Sequence, residues 1–198
     1  VAKKKKAKKA RATEAIETIA IIGVDPGVAT GISTWFEYEG ATEPETFTLE
    51  VRGNDVDYDT NDARCYTPTV AALRKVLSVY GNLPPHQVHV VCEEFTITKR
   101  TIESKLERAS LIIRDWLAIE CAILGYPFTT QTAAEGKTGQ PMKVVKGIEP
   151  GLWAPGQRHS QDSSRHIVQY LRDNPTRISI KRFDALSAML DREFERDS

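Results

Sequence analysis

Nine residues, GVDPGVATG from Gly23 to Gly31, constrain this chain more than any other stretch. They follow the run Thr18–Val24, whose length and β-branched character predict a buried strand. Asp25 stands where that strand ends. Pro26 and Gly27 force a tight turn, and Gly31 opens a second apolar run that reaches Tyr38. The stretch therefore predicts two joined strands with an ionisable acid at the end of the first. A carboxylate placed there is costly unless it is paired or bound to a cation. Asp-Pro-Gly is also ordinary turn chemistry, so these residues alone leave a plain hairpin and a functional site both open.

The remainder of the chain predicts a mixed order of elements. A third strand covers Glu45–Val51. Thr67-Pro68 places a capping residue before Pro at the first helical position. The helix that follows has Val70, Leu73, Val76, Leu77 and Tyr80 on its apolar face and ends at Gly81. A strand runs from Gln87 to Phe95. A long helix covers Ile102–Leu124, with Leu106, Ala109, Ile113, Trp116, Leu117 and Ile123 near one face. Phe128–Gln131 is a short strand. Residues 132–157 hold five Gly and three Pro and read as a mobile connection. A helix over Ser160–Arg172 and a last amphipathic helix over Lys181–Phe194 complete the chain. Three strands, helix, strand, helix, strand and helix imply one three-layer α/β domain with a mixed five-stranded sheet.

A chain of 198 residues can bury one sizeable core. It has no apolar run long enough to span a membrane, and its basic N-terminus lacks the apolar stretch of a secretory signal. Cys65, Cys92 and Cys121 are scattered, which points to free thiols in a reducing cytoplasm and to no zinc spacing. The net charge of zero hides an asymmetry. Residues 1–12 carry seven basic side chains and no acid; removing those from the 27 basic residues leaves 20 against 27 acidic ones. Residues 1–17 are expected to form a disordered arm. It reads either as a phosphate-binding arm or as a merely solubilising tail.

Two further acidic signals accompany Asp25. Val88–Phe95 ends in Glu93-Glu94, and neighbours on a strand point to opposite faces, so one of the pair can share the edge of Asp25. His159-Ser160-Gln161-Asp162 opens a helix, where residues three apart share a face. Asp162 or Ser160 could equally be a simple helix cap.

Taken together, GVDPGVATG, VVCEEF and HSQD resemble the RuvC family of Holliday-junction resolvases, within the RNase H-like superfamily, in a phage-type form. The resemblance spans residues 18–173. It maps the family's acids onto Asp25, Glu93 and Asp162, separated by 68 and 69 residues, with His159 three residues before the last. Phe183-Asp184-Ala185-Leu186 also resembles the family's terminal helix. Choosing Asp184 would stretch the second interval to 91 residues and place Lys181 where a ligand belongs. Asp162 is therefore taken as the site acid, and the last helix as an appended element.

The resemblance implies a metal-dependent DNA endonuclease, with Asp25, Glu93 and Asp162 holding Mg²⁺ and His159 favouring Mn²⁺. It also implies four-way-junction DNA as partner and a homodimer with two sites, to which the helix Ile102–Leu124 would contribute. Candidate DNA contacts are Lys99, Arg100, Lys105, Arg108, Arg158 and Arg165, with Arg114, Lys137, Lys143 and Lys146 nearby. Each of these alone reads as a solvated charge; their grouping near the acids is the signal. Trp153 reads as a DNA wedge or as an anchor of its loop. Three other classes stay in view. One is a nuclease for other branched or flapped DNA. Another is a sugar-kinase or actin-like ATPase, which would need a second domain and a second phosphate loop. The last is an inactive DNA-binding module.

Overall fold

The computed structural model describes residues 18–53, 66–95, 105–138 and 142–196. Five strands form one sheet: β1 (Ile19–Asp25), β2 (Ala29–Glu37), β3 (Glu45–Arg52), β4 (Val88–Glu94) and β5 (Phe128–Thr132). Their order is β3-β2-β1-β4-β5. The first three form an antiparallel meander, and β4 and β5 run parallel to β1. The helices are α1 (Thr67–Val79), α2 (Lys105–Leu124), α3 (Met142–Ile148), α4 (Arg158–Asp173) and α5 (Arg177–Arg196). The three-layer α/β architecture read from the sequence is the one observed.

The period of two in β1 divides the core. Ala20, Ile22 and Val24 pack with Leu73 and Leu77 of α1 and with Ala109, Ile113, Leu117 and Cys121 of α2. Ile19 and Ile21 face the other way, into Trp35, Val145, Ile148, Ile167, Leu171 and Ile178 of the β2, α3, α4 and α5 layer. Both faces of β1 are thus buried, as a central strand requires. Each fully buried aliphatic side chain contributes roughly 1.5–3 kcal/mol. The same alternation puts Gly23 and Asp25 of β1, Gly31 and Ser33 of β2, and Glu93 of β4 on the α4 face.

At Gly23 and Gly31 on that face the helix meets backbone rather than side chains. A Cβ built on Gly23 would lie 2.4 Å from the Ser163 carbonyl oxygen, and one on Gly31 only 1.9 Å from that of His159. Small polar residues complete the contact. Ser33 Oγ donates to the Ser160 carbonyl at 3.0 Å and lies 2.7 Å from the hydroxyls of both Ser163 and Ser164. All four serines are fully buried; the Ser163 and Ser164 hydroxyls also reach the Ser160 carbonyl, and the Ser160 hydroxyl donates to the Gln157 carbonyl at 2.9 Å. The GVDPGVATG glycines are therefore seats for α4 as well as turn residues. Thr30 closes the turn itself, donating through Oγ1 to the Gly27 carbonyl at 2.8 Å.

Two helix starts receive a carboxylate from the sheet: α4, which lacks a side-chain cap of its own, and α5, where Thr176 Oγ1 also accepts the Ser179 N–H at 3.1 Å. Glu50 of β3 accepts the His159 N–H of α4 at 3.1 Å. Glu37, 2% exposed at the end of β2, accepts the Ile178 N–H of α5 at 3.3 Å, the Trp35 indole N–H at 2.8 Å, and the Thr176 hydroxyl. Acids at helix N-termini meet unpaired N–H groups and the positive end of the helix dipole.

Several expectations are corrected. The Gly/Pro-rich stretch 132–157 is not simply a connection: it forms α3, whose Val145 and Ile148 are fully buried, flanked by short turns at Ala134–Thr138 and Pro150–Leu152. Apolar spacing over one short turn outweighed the local propensity of its glycines. Helix α4 starts at Arg158, with Gln157 as its N-cap, so neither Ser160 nor Asp162 caps it. Helix α5 starts at Arg177 rather than Lys181, because Thr176, Ser179 and Glu37 supply its start. Ile123 is 75% exposed; Cys121 takes the buried position on that face of α2. Cys92 and Cys121 are free and buried, and burial pushes the Cys121 thiol up to about 12, so these two are packing residues. Cys65 lies outside the described residues.

Replacing Gly31 with Ala should displace α4, since the obstacle is backbone that no rotamer change can move. Denaturant titration should show a loss of about 3 kcal/mol. A loss below about 1 kcal/mol would show that α4 is not seated on this glycine.

Candidate active site

The sheet register assembles the first half of the site. Val24 pairs with Cys92 across the parallel β1/β4 ladder, so the next residues, Asp25 and Glu93, stand side by side. Both face α4, and they are only 5% and 8% exposed. Glu94 is exposed on the opposite face, as the strand alternation requires. Helix α4 supplies the second half. His159 and Asp162 lie one turn apart, and His166 follows one turn further along.

Each acid has a basic partner from α4. Asp25 Oδ2 lies 2.7 Å from His159 Nδ1. Asp162, 4% exposed, accepts from Arg165 Nη1 at 3.0 Å. Glu93 Oε2 lies 3.1 Å from His166 Nε2. One helix thus provides a counter-group for every buried carboxylate at this edge, which the low dielectric demands. The hydrogen bond to Asp25 is the main cause of a raised His159 pKa; partial burial opposes it, and the charges of Asp25, Glu50 and Asp162 add to it. Those three acids therefore act on one imidazole, whose side chain remains 40% exposed.

The arrangement can carry a cation in chemical type. Three buried carboxylates and one accessible imidazole are the hard and borderline donors that divalent ions take. Among the described residues, however, no three His, Cys, Asp or Glu side chains are grouped to hold a metal ion. The acids point to α4 partners rather than to one shared centre.

Three contributors escaped the sequence reading. Glu50 lies opposite Gly31 in the β2/β3 register and anchors the start of α4. Gln131 lies opposite Glu93 in the β4/β5 register. His166 is fully buried between Glu93 and Gln131. Only the HxxD spacing extended by four residues, HSQDSSRH, hinted at the last; the others depend on strand pairing.

The predicted DNA contacts scatter. Lys99 and Arg100 lie outside the described residues. Lys105 opens α2, and Arg108 is exposed on its first turn. The Gly27 turn approaches Ser110 of that helix, so α2 begins at the same edge of the sheet as the acids. Arg158 is exposed at the start of α4. Arg165 is the correction: expected to face DNA, it is turned onto Asp162, because a buried carboxylate one turn away claims the guanidinium. Arg114 pairs with Asp115 at 2.6 Å. Lys143 is exposed, and the Lys146 ammonium sits 3.8 Å from the centre of the half-buried Trp153 ring, which thus anchors its loop. Asp184 borders a hollow with Leu171, Arg172 and Pro175, at the far end of α4 from His159.

Replacing Glu50 with Ala should cost about 1 kcal/mol of stability, the typical value of a lost helix cap. It should also lower the His159 pKa toward its ordinary value. Denaturant titration and imidazole NMR titration check the two effects; an unchanged His159 titration would remove Glu50 from the site.

Neither protein-family models nor curated protein sequences give a match. Among solved structures, T. thermophilus RuvC in complex with Holliday junction substrate is similar, with a TM-score of 0.55 and 17% identity over 80% of this chain and 98% of that one. At this identity the likeness is one of fold. The chain shares the mixed five-stranded α/β fold of that structure, and the Asp25–Glu93 edge lies at the end of two adjacent parallel strands, β1 and β4.

Proposed function

We propose that this protein is a metal-dependent endonuclease that cleaves four-way DNA junctions by symmetric phosphodiester hydrolysis. The observation that carries the reading is the placing of Asp25 and Glu93 side by side where two parallel strands end, with His159 of α4 bonded to Asp25 and Asp162 one helical turn beyond it. The fold adds support, since its similar structure is a RuvC bound to a Holliday junction.

Asp25, Glu93 and Asp162 are the residues that would hold Mg²⁺ or Mn²⁺. When bound, such ions supply an activated water and offset the charge developing on the phosphate. The protein's own groups do the rest. Asp25 holds His159 by Nδ1, which leaves Nε2 of this partly exposed side chain to give or take a proton at the phosphate. Arg165 keeps Asp162 compensated within the interior. Arg108, Arg158 and Lys143 are exposed cations suited to phosphate contact, which positions DNA without reading its bases. Symmetric cleavage of two opposed strands suits a C2 homodimer. Helix α2 offers an apolar stripe for it, with Ile112, Ile119 and Ile123 exposed by 41%, 62% and 75%. No described helix is long and apolar enough to cross a membrane.

Cleavage assays on a four-way junction, a flap and a linear duplex, with Mg²⁺ and with chelator, test the reading. The junction should be cut selectively and only with metal; preferential cutting of the flap would favour a nuclease for other branched DNA. Replacing Asp25 with Asn should abolish cleavage while junction binding persists or improves, because a ligand and a negative charge near phosphate are both lost. Cleavage near the wild-type rate would overturn the mechanism.

The basic arm, residues 1–12, lies outside the described residues, and its proposed role is electrostatic. Its deletion should weaken binding to junction and duplex alike and flatten the salt dependence of both. Loss of junction preference alone would assign the arm to the branch point instead.

A further inference from the structure

His166 is the one fully buried imidazole of the described residues, and both its ring nitrogens are engaged. Nε2 lies 3.1 Å from Glu93 Oε2, and Nδ1 lies 2.9 Å from Gln131 Oε1. Because a carboxylate oxygen and an amide oxygen can only accept, both ring nitrogens are donors in this arrangement, Nε2 to Glu93 and Nδ1 to Gln131. The arrangement follows from the register. Glu93 and Gln131 are Cα partners across the β4/β5 ladder, so they stand side by side on the α4 face with the ring bridging them. The ring is also confined from another direction: a Cβ on Gly136 would lie 2.4 Å from it, so backbone of the Ala134–Thr138 turn closes the pocket. Glu135 of that turn is fastened through its carboxylate to the Thr132 N–H at 2.6 Å and hydroxyl at 2.8 Å.

These contacts matter because the Glu93 side chain is long and rotatable. A glutamate at a strand end has three rotatable side-chain bonds, and its neighbours on the strand, Cys92 and Glu94, point to the other face. The bond from His166 is a fixed directional contact on its carboxylate, delivered by a ring that cannot turn. We propose that His166, locked by Gln131, is a positioning residue that sets the Glu93 carboxylate for a divalent cation. This rests on the reading of Glu93 as a metal ligand. Groups that orient ligating side chains typically carry a 10- to 100-fold share of metal affinity.

Mn²⁺ binding to the purified chain without DNA tests the proposal, followed by the electron paramagnetic resonance signal of free Mn²⁺. Each variant's unfolding temperature is measured in chelator alongside. Replacing His166 with Phe keeps the ring volume and removes the donor; affinity should fall about 10- to 100-fold. Replacing His166 with Gln restores a donor at the reach of Nε2, and should recover most of that affinity. Replacing Gln131 with Leu should weaken binding in the same direction while leaving His166 in place, and it carries the test if the Phe variant does not fold. Wild-type Mn²⁺ affinity in both His166→Phe and Gln131→Leu would overturn the proposal. So would losses that follow the unfolding temperature of the variants rather than the presence of a donor. A wild-type chain that takes up no Mn²⁺, or one in which Asp25→Asn leaves binding unchanged, would instead overturn the reading of the acids themselves.

Discussion

Helix α4 rests on bare backbone, and the rest of the functional edge depends on that contact. Gly23 and Gly31 remove the side chains that would otherwise hold it off the sheet, and the hydroxyls of Ser33, Ser163 and Ser164 fill the seam, bonding to one another and to the Ser160 carbonyl. Glycine inside a strand weakens it by roughly 0.5–1 kcal/mol, a cost offset here by the burial of Ile167, Val168 and Leu171 behind the seam. A helix at ordinary distance from a sheet would leave room for side chains between the two. At this distance His159 reaches Asp25 directly, and Asp162 and His166 reach the same layer in successive turns.

The close approach creates an electrostatic problem and supplies its answer. Asp25, Glu93 and Asp162 are all nearly buried, a state that costs several kcal/mol per uncompensated charge. His159, Arg165 and His166 come from the very helix that buries them. The sheet repays the helices in kind: Glu50 and Glu37 serve the open N–H groups at the starts of α4 and α5. Acids of strands and N-termini of helices are therefore paired twice in this domain, once toward the site and once away from it.

The stripe on α4 shows how one helix serves three strands. His159, Asp162 and His166 fall at positions i, i+3 and i+7, one face of a helix. Their partners lie on β1, on α4 itself and on the β4/β5 pair. Rotating the helix by one residue would break the contacts of His159 and His166 at once, while the Asp162–Arg165 pair, internal to α4, would turn with it. The seam of glycine and serine that sets its depth thus also sets its rotation, because Ser160, Ser163 and Ser164 occupy the face turned to β2.

Much of this was legible in the linear chain. The strand ending in Asp25, the opposed directions of Glu93 and Glu94, and the shared face of His159 and Asp162 are consequences of periods of 2 and 3.6, which covalent geometry imposes on any chain. Element order followed from the same periods. Less was legible where neighbours in space are distant in sequence. Nothing near Glu50 says that it will meet the start of α4, 109 residues on, and nothing near Gln131 says that Glu93 will be its partner. Arg165 looked like a surface cation until Asp162 was seen to be buried one turn away. Helix α3 looked like a connection until the core offered Val145 and Ile148 a place. The sequence by itself determined which residue types stand on which face of each element, because that depends on local geometry alone. Only the tertiary structure decided which strands adjoin, how close α4 lies and which acid each basic group serves, because those follow from burial and charge pairing summed over the whole domain.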